Sequence, residues 1–210
     1  MIYLYDSQIL KRGTTRVCYQ YHHKPDLIVK IAVNGNKEGV SANLRELDGY
    51  QYLIREHADL DRISHCLGFI TTDKGKGLVC QCIRDDNGEV SKSVWDIIVY
   101  QEDHDIAHIK SVLTDFCEYL RDNDIFLFDL NLKNILLQEK SGGTYIPHVI
   151  DLKGRYDLNE FIPFSKYSKF FARKKLKRRT RQLLERVEQY RHIKSELKKI
   201  DTCLNKEIFS

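Results

Sequence analysis

Short apolar runs and turn residues alternate through the first third of the chain. MIYLY, VCYQY and LIVKIAV read as three strands joined by turns, the last with one lysine at its centre. From Lys37 to His57 the period changes to a helical one. Val40, Leu44, Leu47 and Ile54 recur near i, i+4, i+7 and i+14 and predict a helix with one apolar stripe. Ser64–Ile70 predicts an extended run, Asp73–Gly77 a turn, GLVCQCI a strand, and Asp85–Glu89 a polar loop. Asp103–Asn123 predicts the best helix of the middle: Ile106, Ile109, Leu113, Phe116 and Leu120 are spaced 3, 4, 3 and 4, a stripe that should face the core. Asn123 or Asp124 should end it. IFLFDLNLKNILLQ then holds two short apolar runs around a polar insertion, Gly142-Gly143 makes a turn, and YIPHVID reads as a strand ending in an aspartate. This order of a β-rich region, a helix, two strands, a helix and two short hairpins predicts an α+β fold.

Composition adds bounds. The 210 residues suit one domain, or one domain with an appendage, and a hydrophobic content of 42% is enough for a substantial core. No apolar run approaches the length of a membrane span, and the N-terminus has no basic stretch leading into an apolar one. A cytoplasmic protein with no transmembrane segment is therefore expected. Six cysteines, at 18, 66, 80, 82, 117 and 203, form no C-x-x-C pair and read as reduced residues filling apolar space.

Charge changes the picture more. The net charge of +4 is uneven: nine basic and no acidic residues lie between Phe164 and Gln182, which leaves the rest of the chain at −5. The segment Lys166–Arg181 reads as a solvated helix face, as a contact for an anionic surface or phosphorylated substrate such as membrane or lipopolysaccharide, or as a nucleic-acid contact. Phe164, Tyr167, Phe170 and Phe171 sit beside the charges. An anionic surface or substrate is preferred to a nucleic acid. Leu183, Val187, Tyr190, Leu197, Ile200 and Leu204 continue a helical stripe, which should pack on the domain or self-associate.

Four positions carry candidate chemistry. Asp129 and Asn134 stand five apart between buried-type runs, where an acid and an amide need polar partners. Asp151 ends the strand VID. Lys30 sits in the centre of an apolar strand and calls for a carboxylate or a phosphate, unless its stem packs while its head reaches water. Glu46 lies midway along the following helix, where Arg45 and Tyr50 are rival partners.

Taken in order as IVKIA, LREL, DLNLKN and IDLKG, these segments resemble the protein-kinase-like fold. Its marks are a strand lysine, a helix glutamate, a D-x-x-x-x-N loop and a metal-binding aspartate at a strand end. By length, motif order and basic C-terminal stretch, residues 1–185 resemble the YrbL family, small bacterial kinase-like proteins associated with the PhoP regulon. DLN-x-x-NIL is also similar to lipopolysaccharide-core sugar kinases. The resemblance implies a small β-rich N-lobe over about 1–84 and a reduced, mainly helical C-lobe from about 85. The kinase-like domain would span 1–163, and a basic helical extension, 164–210, would pack on the C-lobe.

The resemblance also implies ATP and Mg²⁺ as cofactors. Lys30 would contact the nucleotide phosphates, Glu46 would hold Lys30, and Gly13 would belong to the phosphate loop. Asp129 would accept the proton of the attacking hydroxyl, while Asn134 and Asp151 would bind Mg²⁺. The implied activity is phosphotransfer to a hydroxyl of a protein Ser/Thr or a sugar. The alternative is a catalytically inactive kinase-like protein that binds nucleotide or a partner. The chain departs from the kinase pattern at several points. Leu127-Phe128 replace the histidine and arginine before the catalytic aspartate, one extra residue precedes Gly154, and Gly13 has no second glycine near it. Arg12, Thr14 or Arg16 would have to compensate. Only 59 residues follow Asp151, little room for a peptide-binding platform.

Overall fold

The computed structural model describes residues 1–56, 60–101, 105–127, 130–152 and 169–208, with side chains of the last helix described from Phe170 to Glu196. Five antiparallel strands form the first sheet: β1 (Ile9–Arg12), β2 (Arg16–Gln20), β3 (Leu27–Ala32), β4 (Cys66–Thr72) and β5 (Gly75–Gln81), in the order β1-β2-β3-β5-β4. Helix α1 (Lys37–Glu56) crosses between β3 and β4 and packs on β3. A second sheet, ordered β6-β7-β8, joins β6 (Lys92–Ser93), β7 (Ile135–Lys140) and β8 (Thr144–Val149). Helices α2 (Val94–Tyr100), α3 (Ile106–Asp122) and α4 (Lys169–Ile208) complete the described elements. The fold is α+β with antiparallel sheets.

Several expectations change. MIYLY forms no strand. Ile2 makes only an isolated bridge to Thr72, and the first strand is the less apolar Ile9–Arg12. Among the described residues of the 125–138 run, Ile125 and Leu127 are buried but lie outside any strand, so β7–β8 is the one hairpin there. Helix α2 went unpredicted because seven residues are too short to show a helical period. Its start is nonetheless written locally: Ser93 Oγ accepts the Asp96 N–H at 3.1 Å and donates to the Asp96 carboxylate at 2.6 Å, an N-cap.

Helix α3 obeys its pattern. Ile109, Leu113, Phe116 and Leu120 are all buried, Asp105 caps the N-terminus through Ala107 and His108 N–H, and Asn123 closes the other end. Helix α4 lays Leu176, Leu183 and Val187 into the same core. Lys110 Nζ meets Glu188 Oε1 at 2.6 Å, and Tyr190 packs edge-on against Trp95 at 4.4 Å.

Helix α1 does the opposite. Val40, Leu44 and Ile54 of its expected stripe are exposed, and Leu47 alone is partly buried. The inward face carries Gly39, Asn43, Glu46, Gly49, Tyr50 and Leu53. Its first turn is fixed by close approach. Asn36 Oδ1 accepts the Gly39 N–H at 2.6 Å, and a Cβ on Gly39 would lie 2.3 Å from the Thr15 carbonyl oxygen. Only glycine lets the helix start so near the β1–β2 turn.

Candidate functional site

The polar face of α1 meets the centre of the first sheet. Lys30, on β3, points from a strand whose neighbours Val29 and Ile31 are buried, and its own ammonium is buried too. Lys30 Nζ donates to Glu46 Oε1 at 2.5 Å. Arg16, the first residue of β2, donates to the other carboxylate oxygen at 2.6 Å and to Asn43 Oδ1 at 3.1 Å. Asn43 in turn donates from Nδ2 to the Lys30 carbonyl at 2.9 Å. The second Arg16 nitrogen reaches the Asp151 carboxylate, beyond the end of β8. Arg45 instead pairs with Ser41 Oγ on its own helix, so the local rival for Glu46 is not taken.

Burial makes these contacts matter. Desolvation alone would push the Lys30 ammonium toward neutrality, but the Glu46 carboxylate overrides it and holds Lys30 charged well above its ordinary range. Desolvation would raise Glu46, and Lys30 and Arg16 together pull it below the usual carboxylate range. Two cations thus face two carboxylates in a chain that runs Lys30–Glu46–Arg16–Asp151.

Asn134 and Asp151 flank the same end of the β7–β8 hairpin. Ile135 pairs with Val149 in register, and the Ile150 N–H donates to the Asn134 carbonyl at 2.9 Å. Asp151 adopts a left-handed backbone, φ 59°, which aspartate tolerates better than most residues. The structure therefore gathers Lys30, Glu46 and Asp151 through Arg16 and sets Asn134 beside Asp151. Gly13 lies in the β1–β2 turn, its N–H bonded to the Arg16 carbonyl at 2.8 Å. Asp129 lies outside the described residues, although the neighbouring Leu130 and Leu132 are buried.

Asn134 and Asp151 offer oxygen ligands of the kind Mg²⁺ takes, and Lys30 and Arg16 supply the cations that phosphate oxygens need. Arg16 is the residue that sequence reasoning underrated. Its signal was its place directly after the Gly13 turn.

Thiols border the network. Cys18, Cys66, Cys80, Cys82 and Cys117 are free. Cys66 faces Cys80 across β4 and β5, with sulfurs 3.4 Å apart. The adjacent Gln81 N–H bonds the His65 carbonyl at 2.8 Å, so Cys66 and Cys80 form the non-hydrogen-bonded pair, where side chains come closest. The contact with Cys80, together with burial, pushes the Cys66 thiol up. Burial raises Cys18, although Lys30 and Arg16 oppose the rise.

The molecule is thus a small α+β protein whose two sheets are linked by a buried Lys–Glu pair extended through Arg16 to the half-buried Asp151. Residues 2–188 match the family model described as PhoP regulatory network protein YrbL. The chain is 32% identical over 181 residues to the uncharacterized protein YrbL of Escherichia coli (strain K12), an alignment covering 85% of this chain and 84% of that relative. The same figures hold for the YrbL protein of Shigella flexneri. The chain belongs to the YrbL family, and every candidate site residue lies inside the matched span.

Proposed function

We propose that this chain is a protein-kinase-like phosphotransferase that uses ATP and Mg²⁺ to phosphorylate a hydroxyl of a protein Ser/Thr or a sugar, acting in the cytoplasm. The buried Lys30–Glu46 pair, joined through Arg16 to Asp151, is the observation that carries this reading. A lysine held charged inside a strand is costly as a structural element alone, and it is ready to meet phosphate oxygens. The five-stranded antiparallel sheet with α1 across it supports a small β-rich N-lobe, and α2, α3 and α4 support a helical C-lobe.

In this reading Glu46 positions Lys30, and Lys30 and Arg16 bind the phosphates. Asn134 and Asp151 would hold Mg²⁺, which would supply charge neutralisation. Asp129 orients the acceptor hydroxyl and takes its proton. Arg16, which holds Asp151 and Glu46 here, would also stand in for the glycine-rich loop by offering its guanidinium to the phosphates. The contact between Arg16 and Asp151 also favours the second reading, a nucleotide- or partner-binding protein without transfer, because a carboxylate already neutralised has less call for a cation.

Radiolabelled ATP with Mg²⁺ tests both. The expected result is slow autophosphorylation or ATP hydrolysis, abolished by Asp129→Asn and by Asp151→Ala. A thermal shift with Mg²⁺-ATP but equal background turnover in wild type and Asp151→Ala would establish the binding-only reading. No shift at saturating nucleotide, where binding at a hundredfold above Kd contributes about 2.7 kcal/mol, would sink the phosphotransferase and the nucleotide-binding form of the second reading.

A further inference from the structure

The first four turns of α4 carry a face that neither the core nor the proposed site uses. Ala172, Leu176, Leu183 and Val187 are buried and mark the side turned to the core, shared with α3. At 100° per residue, the opposite side carries Phe170, Phe171, Lys174, Lys177, Arg178 and Arg181. Both phenylalanines are exposed, Phe170 at 72%, and they stack edge-to-face with ring centroids 5.7 Å apart. Among the described residues, Lys174, Lys177 and Arg178 form no ion pair, and Arg181 has only a long contact of 3.6 Å to Glu185. Arg173, by contrast, is committed to Asp124 at 2.8 Å. Beside this face a groove of about 570 Å³ opens between α3 and α4, lined by Cys117, Leu176, Thr180 and the stems of Arg121 and Lys177.

We propose that this face docks on an anionic lipid bilayer. Phe170 and Phe171 enter the boundary between headgroups and acyl chains, and Lys174, Lys177, Arg178 and Arg181 lie on the headgroup phosphates. Large aromatics exposed among cations are the composition of an interfacial helix. Three properties select this occupant. A second copy would bring four cations against four, which repel. A soluble polyanion without bases to stack, such as a sulfated polysaccharide, would be held by the cations alone and would leave the phenylalanines in water. The remainder of the chain, at −5, is repelled by an anionic bilayer and so turns this one face toward it. Among the described residues no helix is long and apolar enough to cross a membrane, so the contact is peripheral.

Co-sedimentation of the full chain with vesicles tests this proposal independently of any phosphotransfer. Wild type should sediment with phosphatidylcholine vesicles containing phosphatidylglycerol, remain in solution with pure phosphatidylcholine, and be released by salt. Phe170→Ser with Phe171→Ser should weaken vesicle binding about tenfold or more while heparin binding is kept. Lys174→Glu with Lys177→Glu should abolish both. All four residues are exposed, so an unchanged circular-dichroism spectrum is expected. No sedimentation with the phosphatidylglycerol vesicles would overturn the proposal. So would a phenylalanine double variant that sediments like wild type, because that result describes a site for soluble polyanions such as nucleic acid.

Discussion

Helices α1 and α3 have similar amphipathic sequences and opposite fates. Helix α3 turns its apolar stripe inward and its charges outward, as a helix does when burial of apolar area is the main driving force. Helix α1 turns Val40, Leu44 and Ile54 to solvent and buries Asn43 and Glu46. Its orientation is set by specific partners, Lys30 and Arg16, which reward one rotation of the helix more than a few exposed aliphatic side chains oppose it. Helix α1 thus buries the face its polar partners select, together with Tyr50 and Leu53, at the expense of most of its apolar stripe.

The largest effect should come from breaking the α1 side. Glu46→Ala leaves Lys30 buried without its counter-charge and deprives Arg16 of one partner. Removing one partner of a buried pair costs about 3–5 kcal/mol, and here two cations lose it. Chemical denaturation should show that loss. The paired replacement Lys30→Met with Glu46→Leu should recover most of the stability but none of the nucleotide binding proposed for this site. If the double variant is no more stable than Glu46→Ala, the charges do not set the rotation of α1. Next comes the α3 side. Leu113→Ala opens a cavity in a fully buried position and should cost about 3 kcal/mol, with nucleotide binding retained. Equal loss of binding in Leu113→Ala and Glu46→Ala would erase the distinction between the two helices.

How much of this was legible in the sequence follows from where each partner lies. The identity of α3, its buried face and its end are local properties of the Ile106–Leu120 spacing and of Asn123. The existence of α1 was equally local, but its rotation was not. Arg16 reaches Asn43, Glu46 and Asp151 across separations of 27, 30 and 135 residues. Periodicity has no access to such contacts. The pairing of Lys30 with Glu46 became legible through motif order, because a lysine in an apolar strand demands a carboxylate from somewhere. The sequence offered Arg16 only as one of three candidates beside Gly13, and the fold singles it out by placing it beside both carboxylates.

A smaller effect distinguishes fully paired from half-paired buried polar groups. His148, on β8, donates from Nε2–H to Gln138 Oε1 at 3.1 Å, while its buried Nδ1 has no hydrogen-bond partner among the described residues. Burial, aided by Lys140 and Arg62, lowers its pKa from 6.5 to about 4. The unfolded chain therefore binds a proton below about pH 6.5 that the folded chain does not. Stability from this group is intact above that pH and falls progressively toward pH 4, by up to about 3 kcal/mol. Urea midpoints between pH 7 and 4 should fall in wild type and fall less in His148→Gln. A wild-type curve as flat as that of His148→Gln over this range would show that the imidazole is solvated.

The smallest effect is the sharpest check on the comparison. Leu44 lies on α1 as Leu113 lies on α3, one residue of an apolar stripe, yet it is 54% exposed. Leu44→Gln removes little buried area and keeps a good helix former, so its stability change should stay within about 0.5 kcal/mol. Double-mutant cycles of Leu44→Gln with Glu46→Ala should then show near-zero coupling, since nothing joins the outer stripe to the charge network. A cost for Leu44→Gln approaching that of Leu113→Ala would mean that α1 buries its apolar stripe after all. The buried carboxylate would then have to reach Lys30 and Arg16 from the other side of the helix, which its 3.6-residue period does not permit.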